Sequence, residues 1–343
     1  MIHVFIHFEA SPQIGLGHAI RCLNLAKSLK KHAKINLFIS PTTKQIIAER
    51  IDLDFQTIPF DHRGTNINFS TGYDKNVLIL DNYELGEEFE NQFHKKMDLI
   101  FVIDDLANRK HHCQLLLDQT AGLSKSRYLN LVPKECHILT GADYALISPL
   151  FESARQKSIA RRQEPNFTPK NLLVALGGAD PDNITGQLIS DLDQINFLSS
   201  IDIVIGSASL HKTTLKNDIK NRKKTFTLHH NLTSLCPLLQ TTDIVIGAGG
   251  VSAIERCVLG IPSLLIEIAD NQKQMIAQLE QMNAAINIGS PSQLSPSTLK
   301  HALEQMQDRS TYQVMSQSAA NVCDGKGLER VCSHLLNLTM GST

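Results

Sequence analysis

HVFIHFEASPQIGLGHAIRCLNLA, residues 3–26, decides the fold. HVFIHF is a continuous apolar run of strand length. Such runs suit a parallel strand covered on both faces. Two glycines, Gly15 and Gly17, then precede a stretch in which Ala19, Cys22, Leu23, Ala26 and Leu29 share one helical face. Lys27, Lys30 and Lys31 fall away from that face, as an amphipathic helix requires. The stretch therefore reads strand, tight turn, helix. That is the opening of a βαβ unit.

The same alternation recurs along the chain. KINLFIS, NVLILDN, LIFVIDD and CQLLLDQ come next in the first half, and NLLVALGG, DIVIGSA, TFTLHH, DIVIGAGG, SLLIEIAD and AAINIG in the second. Amphipathic stretches separate them, so the expected class is α/β with open parallel sheets. The 343 residues suit two domains. Residues 156–170 are polar and basic, with two prolines and no core periodicity, and read as a linker. The expected organisation is a Rossmann-like domain over 1–155, a second over 171–322, and a C-terminal helix over 323–343. Ligands of such domains bind outside the carboxyl ends of the strands, in a central cleft that both sheets face.

Bulk properties exclude several classes. Formal net charge is −1, so the basic footprint of a nucleic-acid binder is missing. No apolar run reaches the ~18 residues of a membrane span. The apolar opening has no basic n-region and reads as a strand, not a signal peptide. Seven cysteines are scattered, with no CxxC pair, which argues against zinc and disulfide frameworks and for a reducing cytoplasm. GxxxxGK[ST], GxSxG and HExxH are absent. No metal and no cofactor are expected, and a monomer is favoured.

Four places could carry chemistry. His18 stands where a helix should begin, behind Gly15 and Gly17, with Arg21 one turn on. A helix N-terminus favours negative charge and neutral imidazole, the form a general base needs. The bland alternative is a histidine that caps a turn. Asp81, Asn82 and Tyr83 follow an apolar strand, where a turn or cap is the alternative. LGGADPDN, residues 176–183, places Gly177 and Gly178 at a strand end, either as a phosphate-binding turn or as a plain one. Gly249, Gly250, Val251 and Ser252 lead into a helix that could hold a diphosphate, with Glu255 accepting from ribose hydroxyls. The Ser252–Glu255 spacing also fits a capping box. Asn271 and Gln272 follow the next strand. Asp104 and Asp105 read as structural or capping residues, and His111 and His112 as a surface turn.

IGLGHAIRCLNLA, IDDLANRKHHCQLLLDQT, GADYALISPLF, LGGADPDNITGQL and GAGGVSAIERCVLGIPSLLIEIADNQKQ occur in that order. Together they resemble the PseG/SpsG family, whose named enzyme is a UDP-2,4-diacetamido-2,4,6-trideoxy-β-L-altropyranose hydrolase of pseudaminic acid biosynthesis. The second half also resembles MurG-type glycosyltransferases. The resemblance implies a GT-B-type fold and metal-independent hydrolysis of a UDP-sugar, with inversion at C1. It implies His18 as the base that activates water, Tyr83 and Asn271 as further active-site residues, and Gln272 beside Asn271. It implies Glu255 at the ribose and the 249–252 turn at the diphosphate. His7 and Glu9 stand where the family has arginine and aspartate, and Ser148 where arginine is common, so the preferred sugar could differ. A glycosyltransferase with the same UDP site and a non-catalytic sugar-nucleotide binder are the rival readings.

Overall fold

The structure, a computed structural model, describes residues 2–11, 14–48, 55–60, 74–177, 180–206 and 209–341. Two compact units divide the chain. Unit 1 holds residues 1–148 and 326–343, and unit 2 holds 149–325.

Unit 1 is built on β1 (Ile2–Phe8), β2 (Ala33–Ile39), β3 (Gln56–Pro59), β4 (Lys75–Asp81), β5 (Leu99–Ile103), β6 (Leu115–Asp118) and β7 (His137–Thr140). All pairings are parallel, in the order β3-β2-β1-β4-β5-β6-β7. Its helices in the first stretch are α1 (Gly17–Leu29), α2 (Pro41–Ile46) and α3 (Glu87–Asn91). Successive strand residues point to opposite faces, and both faces are covered. Val4, Ile6 and Phe8 join one core with α1, while Phe5, Leu78 and Leu80 join another on the far face. That two-sided burial is why the strand runs are continuously apolar.

Unit 2 opens with α4 (Pro149–Gln163) and carries β8 (Asn171–Ala175), β9 (Ser200–Ile205), β10 (Thr225–His230), β11 (Ile244–Ala248), β12 (Ser263–Ile266) and β13 (Ala285–Asn287). Their order is β10-β9-β8-β11-β12-β13, again parallel throughout. Around the sheet run α5 (Ile184–Leu192), α6 (Lys212–Asp218), α7 (Cys236–Leu239), α8 (Val251–Val258), α9 (Lys273–Gln281), α10 (Pro296–Gln307) and α11 (Arg309–Val322). The chain then returns to unit 1 as α12 (Gly327–Met340), whose Leu328, Val331, Cys332 and Leu335 enter the α1 core.

Three expectations change. The linker expected over 156–170 is helix through Gln163, so unit 2 begins at Pro149 and not at residue 171, and the first stretch of unit 1 ends at Ser148 and not at 155. This helix lacked apolar periodicity because polar side chains do its packing. Ser158 Oγ donates to the Leu259 carbonyl at 2.8 Å, and Arg155 Nη1 and Nη2 to those of Val258 and Ala320 at 2.6 and 2.7 Å. The C-terminal helix belongs to unit 1. Strands β3 and β7, four residues each, were not expected; both are sheet edges with polar positions and little apolar signal.

Each sheet reverses its strand order once. The reversal lies between β1 and β4 in unit 1, and between β8 and β11 in unit 2. Open α/β sheets bind ligands outside the carboxyl ends of the strands at such a switch point. The segments after β1 and β4 hold His18 and Tyr83. Those after β8 and β11 hold Gly177 and the 249–255 turn and helix.

Candidate active site

His18 is the second residue of α1 and is 6% exposed. Leu16 is the N-cap and makes no side-chain cap bond, so the capping alternative for His18 does not hold. Gly15, at φ 82°, turns the chain into the helix, a conformation that glycine adopts without cost. Gly17 is the first residue of α1.

The imidazole meets a partner that the sequence did not reveal. His18 Nδ1 lies 2.5 Å from Asp81 Oδ1, at the carboxyl end of β4. Asp81 is fully buried. Arg21, one turn after His18 on α1, donates from Nε to Asp81 Oδ2 and from Nη2 to Oδ1, both at 2.6 Å. Cys22 Sγ donates to Oδ2 at 3.3 Å. Burial alone would raise the pKa of Asp81. The Arg21 guanidinium and His18 outweigh it and hold the carboxyl far below its ordinary range. An ionised Asp81 takes the hydrogen of Nδ1, which leaves Nε2 as the nitrogen able to accept a proton.

Arg21 was expected to bind ligand. Arg21 is instead 2% exposed, its guanidinium committed to Asp81 and, through Nη1 at 3.0 Å, to Asp105 Oδ2. It braces the base. Tyr83, just past β4, sets its ring against His18, with centroids 4.5 Å apart and planes at 87°.

Two of the positions that depart from the family pattern, His7 and Glu9, have structural work. His7 is fully buried, with Nδ1 2.7 Å from the Phe38 carbonyl and its ring stacked 3.8 Å from Phe60. Glu9 Oε2 accepts from Thr43 Oγ1 at 3.1 Å, beside the start of α2. His111, expected in a surface turn, is 2% exposed and bonds Glu90 Oε1 through Nδ1 at 2.6 Å. Asp104 is the expected cap, accepting from Ala107 N at 2.8 Å, and also pairs with Arg109.

In unit 2 two helices start at the switch point, and they differ. The first amides of α5 are occupied: Ile184 N and Thr185 N donate to Asp180 Oδ1 and Oδ2, each at 2.9 Å. The α5 end of the loop after β8 is therefore capped. Gly177 sits in this loop at φ 104°, and Gly178 lies outside the described residues. The N-cap of α8 is Gly250, with no side-chain cap bond. The initial amides of a helix have no partner within it, so this start can receive an anion. Ser252 is the second helical residue, and its Oγ accepts from Arg256 Nη1 at 3.2 Å, so the capping box does not form.

The turn before α8 is tightly held. A Cβ on Gly249 would stand 2.3 Å from Ile276 Cγ1, so no side chain fits there. Gln272 Oε1 accepts from Gly249 N at 3.2 Å, which makes Gln272 a support of the turn. Arg256 is buried beneath it and donates from Nη2 to the Ala248 carbonyl at 2.7 Å. Glu255 is half-buried, and removal from water pushes its pKa up to about 7, with Arg256 pulling the other way. Asn271, expected as an active-site residue after the late strand, is an exposed residue of unit 2, in the short turn before α9.

The structure thus brings His18, Arg21 and Tyr83 together in unit 1, and Gly249, Gly250, Val251, Ser252, Glu255 and Gln272 together in unit 2. Sequence reasoning missed the pairing of Asp81 with His18. Its signal was a lone aspartate closing the strand LILD, next to β1 in the sheet.

No family model matches the chain. Curated relatives match along most of it. The spore coat polysaccharide biosynthesis protein SpsG of Bacillus subtilis is 23% identical, covering 98% of this chain and 98% of that protein. The UDP-2,4-diacetamido-2,4,6-trideoxy-β-L-altropyranose hydrolase of Campylobacter jejuni is 25% identical, covering 72% of this chain and 85% of that one. Among solved structures, Acinetobacter baumannii MurG superposes with a TM-score of 0.70 at 13% identity, covering 98% of this chain and 99% of MurG. That likeness gives the fold: a two-domain, Rossmann-like GT-B architecture. The two relatives, at 23% and 25% identity along most of the chain, support an assignment to the PseG/SpsG family.

Proposed function

We propose that the protein hydrolyses a UDP-linked 2,4-diacetamido-2,4,6-trideoxy-hexose, with β-L-altrose as the first candidate sugar, to UDP and free sugar. The observation that carries this is the buried His18–Asp81 pair, a base with its tautomer set by a carboxylate. The Campylobacter relative, named as this hydrolase, supports the substrate class.

In this reading His18 Nε2 removes a proton from water as the water oxygen bonds to C1. The C1–O bond to the diphosphate breaks, its electron pair leaves with UDP, and the sugar configuration inverts. Asp81 stabilises the imidazolium that forms. A placed base contributes roughly 10²–10⁴ in rate. Tyr83 borders the base, and Asn271 is assigned to the sugar side of the reaction. In unit 2 the Gly249–Ser252 turn receives the diphosphate, whose negative charge grows as C1–O breaks, and Glu255 accepts from ribose hydroxyls. Nothing in these steps calls on a metal.

The test is UDP release from the purified protein and UDP-2,4-diacetamido-2,4,6-trideoxy-β-L-altrose with no acceptor present, beside His18→Asn. Steady release that His18→Asn abolishes supports hydrolysis. Release only on addition of an acceptor sugar favours a transferase. Saturable UDP binding without release favours a sugar-nucleotide binder.

A further inference from the structure

The stretch DDLANRKHHC, residues 104–113, has no part in the proposed chemistry. In unit 1 it braces the segment that carries Tyr83. Arg109 Nη2 donates to the Asn82 carbonyl and Nε to the Leu85 carbonyl, both at 2.7 Å. Its Nη1 donates to Asp104 Oδ1, again at 2.7 Å, and Asp104 is itself anchored by Tyr128 Oη at 3.0 Å. One guanidinium therefore spans the carbonyls on both sides of Tyr83. Asn82 closes the same segment from within, its Oδ1 accepting from Glu84 N at 2.7 Å and Leu85 N at 3.2 Å. Its Nδ2 lies 3.3 Å from His7 Nε2, which ties the segment to β1. Beyond it, Glu87 N donates to the Lys110 carbonyl at 2.9 Å, and His111 holds Glu90 of α3.

We infer that Arg109, together with Asn82, is a positioning residue: it sets the Tyr83 ring against His18 without touching the reacting atoms. The catalytic part of this inference rests on the proposed function. A planar fork can serve two carbonyls and a carboxylate at once, and a lysine ammonium on a flexible stem cannot hold that geometry. A misplacement of about 1 Å at a reacting centre can cost about 10²-fold in rate. Nucleotide binding is assigned to unit 2 and is independent of this brace.

The first readout needs no turnover. In protein with ¹³C-labelled histidine, the Tyr83 ring, perpendicular to the imidazole with centroids 4.5 Å apart, shifts the His18 ring signals. Arg109→Lys should move those signals towards their positions in Tyr83→Ala, with UDP affinity within about twofold of wild type. In turnover, Arg109→Lys should lower kcat by up to about 10²-fold. The same substitution in a Tyr83→Ala background should cost less than about threefold, because the group it places is gone. Should Arg109→Lys fail to fold, Asn82→Ala replaces it in both measurements. His18 signals unchanged from wild type in a folded variant, or a full rate loss persisting without Tyr83, would overturn the inference. Turnover retained in His18→Asn would instead overturn the catalytic reading and leave the brace to be judged by the spectra.

Discussion

Replacing Asp81 by asparagine changes one atom and removes one charge, and the bonds around that carboxylate determine the consequence. Asp81 Oδ1 takes His18 Nδ1 at 2.5 Å and Arg21 Nη2 at 2.6 Å, while Oδ2 takes Arg21 Nε at 2.6 Å and Cys22 Sγ at 3.3 Å. A carboxylate accepts at both oxygens, but an amide accepts at only one. If the amide NH₂ faced Oδ2's partners, it would oppose the fixed Nε–H of Arg21. Turned towards His18, it also opposes Arg21 Nη2, but here the ring can adapt by moving its hydrogen from Nδ1 to Nε2. Nδ1 then also becomes an acceptor for Arg21 Nη2, 3.4 Å away. Asp81→Asn should therefore hold His18 as the Nε2–H tautomer, which cannot take a proton there. Loss of the base lowers the rate by roughly 10²–10⁴. The buried Arg21 loses its carboxylate, which costs about 3–5 kcal/mol of stability. Long-range ¹H–¹⁵N correlation spectra report the tautomer, urea titration the stability and UDP release the rate. A folded Asp81→Asn protein that keeps the Nδ1–H tautomer, or works within about threefold of wild type, would refute the argument.

The same pair sets an acid limit. The folded pKa of Asp81 is depressed, so its stability contribution is full above the ordinary value of 3.8 and is lost as pH falls through the folded value. The stability gap between wild type and Asp81→Asn should persist at pH 5 and narrow only in stronger acid, as urea midpoints across pH will show. Glu255 has the opposite sign. Its pKa rises from 4.5 to about 7, so its proton favours the folded state, and stability from this group declines as pH rises through that window. A ligand that needs the carboxylate should bind about tenfold more weakly per pH unit below that pKa. Titration calorimetry with uridine, which has no phosphate to titrate, should show this slope, and Glu255→Gln should abolish it. Gly249→Ala places a methyl 2.3 Å from Ile276 Cγ1. It should cost about 1–3 kcal/mol in thermal unfolding and weaken UDP binding, with the His18 tautomer unchanged.

Much of the fold could be read from the sequence, because parallel strands buried on both faces give continuous apolar runs. NVLILDN and DIVIGAGG could not be mistaken for surface. The edge strands QTIP and HILT could, since an edge position needs little apolar side chain. Helix α4 was hidden for a different reason: Arg155, Ser158 and Arg162 bury themselves by bonding to carbonyls, and polarity then no longer marks the surface. The site was legible as separate pieces. The glycine turns and His18 announced themselves through spacing. Asp81 belongs to His18 across sixty-three positions of sequence, and only the β1–β4 pairing brings the two together. Arg21 looked available for ligand because its two carboxylate partners lie on other strands and strand ends. The two glycine-rich helix starts of unit 2 looked alike in sequence. Their difference rests on whether a nearby side chain, Asp180 in one case, already fills the amides.

The central claim is that His18 directs water to the anomeric carbon. It is tested most directly by phosphorus NMR and mass spectrometry of the reaction with UDP-2,4-diacetamido-2,4,6-trideoxy-β-L-altrose in ¹⁸O-water, with EDTA present, for wild type and His18→Asn. The account predicts UDP without the label, free sugar carrying ¹⁸O at C1, and no turnover in His18→Asn. Label in the phosphate would place the attack at phosphorus, and undiminished turnover in His18→Asn would remove the base; either result contradicts the account.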